Sequence, residues 1–330
     1  MVESEPPHPP PSEDELEDAE LVAVREALAD LRRELRARFG PDAHRDAELR
    51  RVDWNELFVA LRRRIGTLGM SERSGEVDEF GMDEVVLRRA RPLFDFLYDR
   101  YWRIELSGLE HLPEKGPCLL VANHSGLLPY DGLMVAHGIE RLHASGERPR
   151  FFVADWLMTL PFVQPYLARL GGVRACRENA ERLLGAGRFV LVFPEGVKGA
   201  AKVFRERYRL KRFGRGGVIR VALETGAPLV PVGIVGAEEA HPILFKWRPP
   251  IRFGLPFVPV TPTFPALGPL GALPLPSKWR VRIGAPLRLE RLGPGDARDE
   301  LLLSRLTEEL RAAIQGLVDA ELAERESVWG

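Results

Sequence analysis

The stretch VANHSGLLPYDG, residues 121–132, closes an apolar run with His124 and reaches Asp131 after six intervening residues. A neutral imidazole at a strand's end can take a proton from a hydroxyl, provided a carboxylate holds its other nitrogen. Asp131 is the nearest acid that follows, and Ser125-Gly126 and Pro129 supply the turn that would fold it back. Alone, the same residues read as an ordinary turn at the end of a strand, and that reading is the stronger one for an isolated His and Asp.

Three further elements could carry chemistry. In FVLVFPEGVKG, residues 189–199, an apolar run again ends in a polar turn, Phe193-Pro194-Glu195-Gly196. Gly196 and Gly199 would let the backbone approach a ligand closely, with Glu195 and Lys198 offering an acceptor and a cation at the rim. In GGVRACRENA, Arg174 and Arg177 follow a Gly-Gly turn, and a guanidinium fork suits phosphate oxygens. APLVPVGIVGAEE, residues 227–239, is an apolar strand carrying Pro231 and signals packing only.

These elements need a scaffold. From Arg103 onward, short apolar runs alternate with helical patterns. Strands are predicted near 103–107, 117–122, 150–154, 188–193, 228–235, 250–254 and 279–284. Helices are predicted near 131–141, 155–169, 178–186, 215–225 and 297–323, the last with its stripe at Leu303, Leu306, Leu310, Ala313 and Leu317. Continuous apolar strands alternating with helices define an α/β class, a mostly parallel mixed sheet flanked by helices. His124 and Glu195 would then follow strand C-terminal ends, where open α/β sheets bind ligands.

Ahead of this domain, 103–330, the sequence predicts a helical N-terminal region over 14–102 and a disordered acidic, proline-rich tail over 1–13. Leu21, Val24, Leu28, Leu31 and Leu35 share one stripe. Packing on its own domain is favoured over a homodimer through that helix, because two heptads are few for a coiled coil. Further helices are expected near 53–65 and 83–101.

Composition narrows the function classes. Net charge is −1, yet residues 202–220 hold eight basic side chains and one acidic, while residues 1–20 hold eight acidic and none basic. The basic stretch suits phosphates or an anionic lipid surface. Tyr208 and Phe213 are too sparse within it for base stacking, which argues against nucleic acid. Cys118 and Cys176 are too few for a disulfide framework and stand at no metal-ligand spacing, so no metal site and a reducing, cytoplasmic compartment are expected. No signal peptide or clean transmembrane helix is legible. The longest uncharged stretch, Phe253 to Ser277, contains seven prolines.

The order and spacing of the four elements resemble the glycerolipid acyltransferase superfamily, which includes the bacterial 1-acylglycerol-3-phosphate acyltransferases. The matching residues are Asn123-His124 with Asp131, Gly171 through Arg177, Phe193-Pro194-Glu195-Gly196, and Val230-Pro231-Val232. The resemblance spans roughly 100–290. The superfamily commonly places four residues between His and Asp. The six here look more like a divergent branch related to monoacylglycerol-acyltransferase-like proteins. Arg174 stands where the second motif has Phe, and Val197 and Lys198 where Thr and Arg are usual.

The resemblance implies transfer of a fatty acyl group from an acyl thioester, acyl-coenzyme A or acyl carrier protein, to a glycerolipid or lysophospholipid hydroxyl. His124 would be the general base and Asp131 its orienting partner. Arg177, Phe193, Pro194, Glu195, Gly196 and Lys198 would hold the acceptor, with backbone amides around Gly196 as oxyanion donors. No cofactor beyond the acyl donor is implied, and contact with the membrane would be peripheral. Residues 151–172 would form a core helix or an acyl-tunnel wall, and the uncharged proline-rich stretch would shield the acyl chain or enter the interface. The competing readings are a lipid or thioester hydrolase, weakened by the lack of a Gly-x-Ser-x-Gly elbow, and an inactive lipid-binding protein of the same fold.

Overall fold

The computed structural model describes residues 77–126, 128–159, 163–247, 257–267, 271, 273–325 and 327–328. The chain divides into two compact units, 1–73 and 74–330. The described residues belong to the second, so the expectations for the tail, the heptad stripe, the helix near 53–65 and a homodimer lie outside them.

In chain order the elements are α1 (Glu84–Asp95, continued by a π-helical turn over Phe96–Tyr101), β1 (Glu105–Ser107), β2 (Cys118–Ala122), α2 (Tyr130–Leu142), β3 (Arg150–Val153), α3 (Asp155–Met158), α4 (Gln164–Arg169), β4 (Gly172–Arg174), α5 (Arg177–Gly185) and β5 (Phe189–Val192). Then come α6 (Val197–Ala200), α7 (Gly217–Thr225), β6 (Leu229–Val235), α8 (Ala237–Ala240), β7 (Phe245–Trp247), β8 (Val258–Val260), β9 (Arg280–Ile283) and α9 (Glu300–Glu324). Seven strands form one sheet in the order β1-β9-β6-β2-β5-β3-β4. The five strands from β6 to β4 are parallel, and β9 pairs antiparallel with β6. This is the mostly parallel mixed sheet expected from the sequence.

Strand alternation divides the core between two faces. Cys118, Leu120 and Ala122 of β2 join Phe189 and Leu191 of β5 on one face, where α1 adds Leu87 and Phe94 and α2 adds Met134 and Ile139. Leu119 and Val121 join Val190 and Val192 on the other, under α5, α7 and α9. With both faces covered, the strands carry no polar face, which is why they read as unbroken apolar runs. Asp83 starts α1 by accepting from the amides of Val85 and Val86, and Asp299 does the same for Leu301 and Leu302 of α9. Gly233 of β6 admits α9 closely: a Cβ there would stand 2.7 Å from the Leu317 Cβ.

Several expectations are revised. The helix over 155–169 is two short helices, the second with Pro165 in its first turn, where a missing amide costs no hydrogen bond. Gly171 forms the expected turn, and Gly172 opens β4, a three-residue edge strand the sequence did not suggest. The α9 stripe rotates from Ala313 and Leu317 to Ile314 and Val318, as a helix of 3.6 residues per turn drifts against a 3.5 repeat. The strand expected near 250–254 falls outside the described residues. Within the proline-rich stretch, β8 forms a two-stranded ribbon with β7. The chain then returns to the core, where the Leu275 amide donates to Ala240 and the Trp102 indole donates to the Leu275 carbonyl.

Candidate active site

Register brings the two sequence motifs together. Val121 of β2 pairs with Val192 of β5, so the chains leaving these adjacent parallel strands carry His124 and Glu195 at matching positions. The His124 amide donates to Glu195 Oε1 at 2.9 Å. On the other side of β2, Asn123 extends the ladder with its side chain. Its Nδ2 donates to the Ile234 carbonyl at 2.9 Å, and its Oδ1 accepts from the Ile234 amide at 2.7 Å.

Asp131 lies in the first turn of α2 and is fully buried. His124 Nδ1–H donates to its Oδ2 at 2.7 Å. The same oxygen accepts from the Ser125 amide at 3.0 Å and the Ser125 hydroxyl at 3.2 Å, and Oδ1 accepts from the Gly132 amide at 2.8 Å. A carboxylate can only accept, so the neutral imidazole carries its proton on Nδ1 and presents a lone pair at Nε2. The two extra residues in the loop are accommodated, and the contact forms. Phe193 packs beside the imidazole with ring centroids 4.6 Å apart.

His124 borders a cavity of about 320 Å³ at the carboxyl ends of β2, β5 and β3. Its walls are mostly apolar, among them Val153, Trp156, Phe193, Val197 and Val218. Such a lining with few convergent polar groups suits an apolar ligand. Phe193, Pro194 and Gly196 line it, as does Arg177 from the start of α5. Arg177 is exposed, however, and its guanidinium already donates to Glu181 and Glu224. Arg174 is likewise engaged, by Asp155. Lys198 is exposed, lies outside the cavity lining and has no partner among the described residues.

Glu195 is placed differently from the rim acceptor its sequence suggested. It is buried, and its carboxylate accepts from two backbone amides, those of His124 and of Lys211 at 2.6 Å. It therefore ties the exits of β2 and β5 to the segment after α6. Gly199 makes this fit: a Cβ there would lie 2.5 Å from the Glu195 Cβ. The Gly196 amide closes a turn on the Phe193 carbonyl, so that amide is not an available oxyanion donor.

Lys202 was hidden within the basic stretch. It is buried, 3.5 Å from Glu195 and 2.7 Å from Glu238, and it supplies the cation these two carboxylates need. Burial pushes the Glu238 carboxyl above its ordinary range, with Lys202 opposing the rise. No local pattern marks this pair, because 36 positions separate its members. Both cysteines are free thiols, and burial pushes Cys118 up to about 12, far from a thiolate nucleophile at neutral pH. Among the described residues no group of three or more metal-ligating side chains gathers, and no helix is long and apolar enough to cross a membrane.

The fold and site define a class: an α/β protein with a carboxylate-held histidine at an apolar cavity beyond the sheet's carboxyl edge. The family model described as Acyltransferase matches residues 103–235. An uncharacterized protein of Mycobacterium leprae is 44% identical over 255 residues, covering 77% of this chain and 70% of that one. The bovine (Bos taurus) DGAT1/2-independent enzyme synthesizing storage lipids is 25% identical over 221 residues, 65% of this chain and 59% of that one. A chloroplastic 1-acyl-sn-glycerol-3-phosphate acyltransferase of Brassica napus is 25% identical over 153 residues, 43% and 40% of the respective chains. The chain belongs to the glycerolipid acyltransferase superfamily.

Proposed function

We propose that the protein transfers a fatty acyl group from an acyl thioester to a hydroxyl of a glycerolipid or lysophospholipid at the membrane surface. The observation that carries this reading is the His124–Asp131 contact on the wall of an apolar cavity. His124 Nε2 accepts the acceptor hydroxyl's proton as its oxygen attacks the thioester carbonyl. The carbon–oxygen bond forms, the carbon–sulfur bond breaks, and the departing thiolate takes the proton back from the imidazolium. Asp131 fixes the tautomer and stabilises the transient imidazolium. The thioester is already activated, so no covalent acyl-enzyme is needed. Acyl-coenzyme A or acyl carrier protein is the donor, and the apolar cavity receives the acyl chain.

Arg177 remains the candidate for an acceptor headgroup phosphate, which would have to displace Glu181 or Glu224 from the guanidinium. Glu195 serves by fixing the His124 loop. A 1-acylglycerol-3-phosphate acceptor fits the activity named for the Brassica relative, and a glycerolipid product fits the storage-lipid synthesis named for the bovine one. The Ser125 hydroxyl donates to Asp131, which leaves it poorly placed as a hydrolase nucleophile.

Release of free thiol from acyl-coenzyme A, measured with and without lipid acceptors, tests the reading. Acceptor-dependent release that falls by about 10²–10⁴ in His124→Ala is expected. Acceptor-independent release would make the protein a hydrolase. Silence across a broad acceptor panel with both donors would leave only lipid binding.

A further inference from the structure

The ribbon β7–β8 presents an apolar face that the core does not use. Phe245 and Trp247 lie on the same side of β7, and they are 61% and 55% exposed. Val260 and Val258 stand directly opposite them on β8, while Lys246 points to the other side, its ammonium 6.0 Å from the Phe257 ring centroid. Leu244, at the ribbon's start, is 57% exposed. A soluble surface rarely groups large apolar side chains this way.

The ribbon is fastened rather than dangling. Ile243 and Phe257 pack with Ala201, and the Phe204 amide donates to the Ile243 carbonyl at 2.8 Å. That bond places the apolar face next to the basic segment. Arg205 and Arg209 are exposed and form no ion pair within 4 Å among the described residues, and Arg207 lies between them with its guanidinium over the Phe204 ring and 3.9 Å from Glu239. Arg205 and Lys246 both stand close enough to Glu206 to help Lys211 hold its carboxyl below the ordinary range. Aromatic side chains beside a row of cations match a bilayer's interfacial zone and its phosphates. At the ribbon's base, His241 stacks on Tyr130 with centroids 5.6 Å apart, one residue before Asp131.

We infer that the β7–β8 ribbon, with Arg205, Arg207 and Arg209, is the surface that docks on an anionic lipid bilayer. Phe245 and Trp247 enter the interface while the arginines meet lipid phosphates. The inference rests on the reading of the protein as a lipid-acting enzyme and adds the surface by which it reaches its substrate. The contact through Tyr130 joins the docked ribbon to the helix that carries Asp131.

Full-length protein is sedimented with vesicles of phosphatidylcholine alone or mixed with phosphatidylglycerol. Binding is expected to require the anionic lipid and to weaken with salt. The double variant Phe245→Ser/Trp247→Ser should lower partitioning by about tenfold or more. Arg205→Glu/Arg209→Glu should do likewise by about tenfold. A bromine-labelled lipid should quench fluorescence in the wild type and less so in Trp247→Phe, which keeps an apolar ring and its binding. Transfer to a water-soluble short-chain acceptor should be unchanged in all variants, while transfer to a vesicle-borne acceptor falls in the two double variants. Wild-type vesicle binding that both double variants lose, with no transfer by the wild type, would sink the enzymatic reading and leave the docking surface standing. Wild-type binding to vesicles that both double variants retain would overturn the inference. So would a ribbon-dependent dimer, seen by light scattering, that binds vesicles as well as its monomeric variants do.

Discussion

At the scale of single residues, the site depends on one proton's position. Asp131 accepts from His124 Nδ1, which leaves Nε2 as the only basic nitrogen. Asp131→Asn keeps nearly the same shape but can turn its amide nitrogen toward the imidazole and donate. The imidazole would then have to accept at Nδ1 and carry its proton on Nε2, where it cannot act as a base. We expect kcat to fall by about 10²–10⁴ while circular dichroism and substrate KM stay close to wild type. Thiol release at saturating acceptor is the measurement, and an undiminished kcat would remove Asp131 from the mechanism. His124 was legible through the resemblance, because Asn123-His124 followed by Phe193-Pro194-Glu195-Gly196 matches the superfamily's motifs in their order, whereas each turn alone is ordinary. The role of Glu195 was not, because which way a turn carboxylate points depends on Gly199 and on amides from a different loop. Lys202 was illegible for a related reason: among eight basic residues in 202–220, only the folded chain shows which one is buried.

At the scale of elements, two parallel neighbours and one asparagine place the chemistry. β2 lies between β5 and β6, so its exit loop can be held from both sides. Glu195 holds it from β5 and Asn123 holds it to β6. Asn123→Ala would strand the buried Ile234 amide and carbonyl without partners. Each such group costs about 1–3 kcal/mol, so a loss of roughly 2–6 kcal/mol is expected. Urea unfolding gives that number, and hydrogen exchange should show the Ile234 amide losing protection first. A loss under about 0.5 kcal/mol would mean that water replaces the side chain. The central strands were readable because burial on both faces leaves no polar alternation to confuse the pattern. β4 and the β7–β8 ribbon were not: each strand has three residues, β4 opens with glycine, and Pro259 sits inside β8.

At the scale of the whole molecule, one face of the sheet and its carboxyl edge carry ionisable groups that make stability depend on pH. On the α1–α2 face, His137 is buried against the rings of Phe94 and Tyr98 and donates through Nε2 to Asp95 at 2.9 Å. Burial lowers its pKa below 6.5, with the Asp95 contact opposing and Arg148 adding to the fall. Below 6.5 the unfolded chain binds a proton that the folded chain resists, so stability rises with pH in this window. The contribution is complete above 6.5 and is lost as pH falls through the folded value. Glu238, at the edge near the site, has the reverse sign. Its pKa is raised above 4.5, chiefly by burial, so its contribution is present below 4.5 and declines as pH rises through the folded value. The two effects partly mask each other in the wild type and are separated by substitution. Thermal midpoints measured at fixed ionic strength between about pH 5 and 8 should climb less steeply with pH in His137→Gln than in the wild type. The same series should climb more steeply with pH in Glu238→Gln, where the opposing carboxyl no longer titrates. Equal slopes in all three proteins would mean that neither buried group changes its protonation on folding, and opposite changes would assign each slope to its part of the molecule.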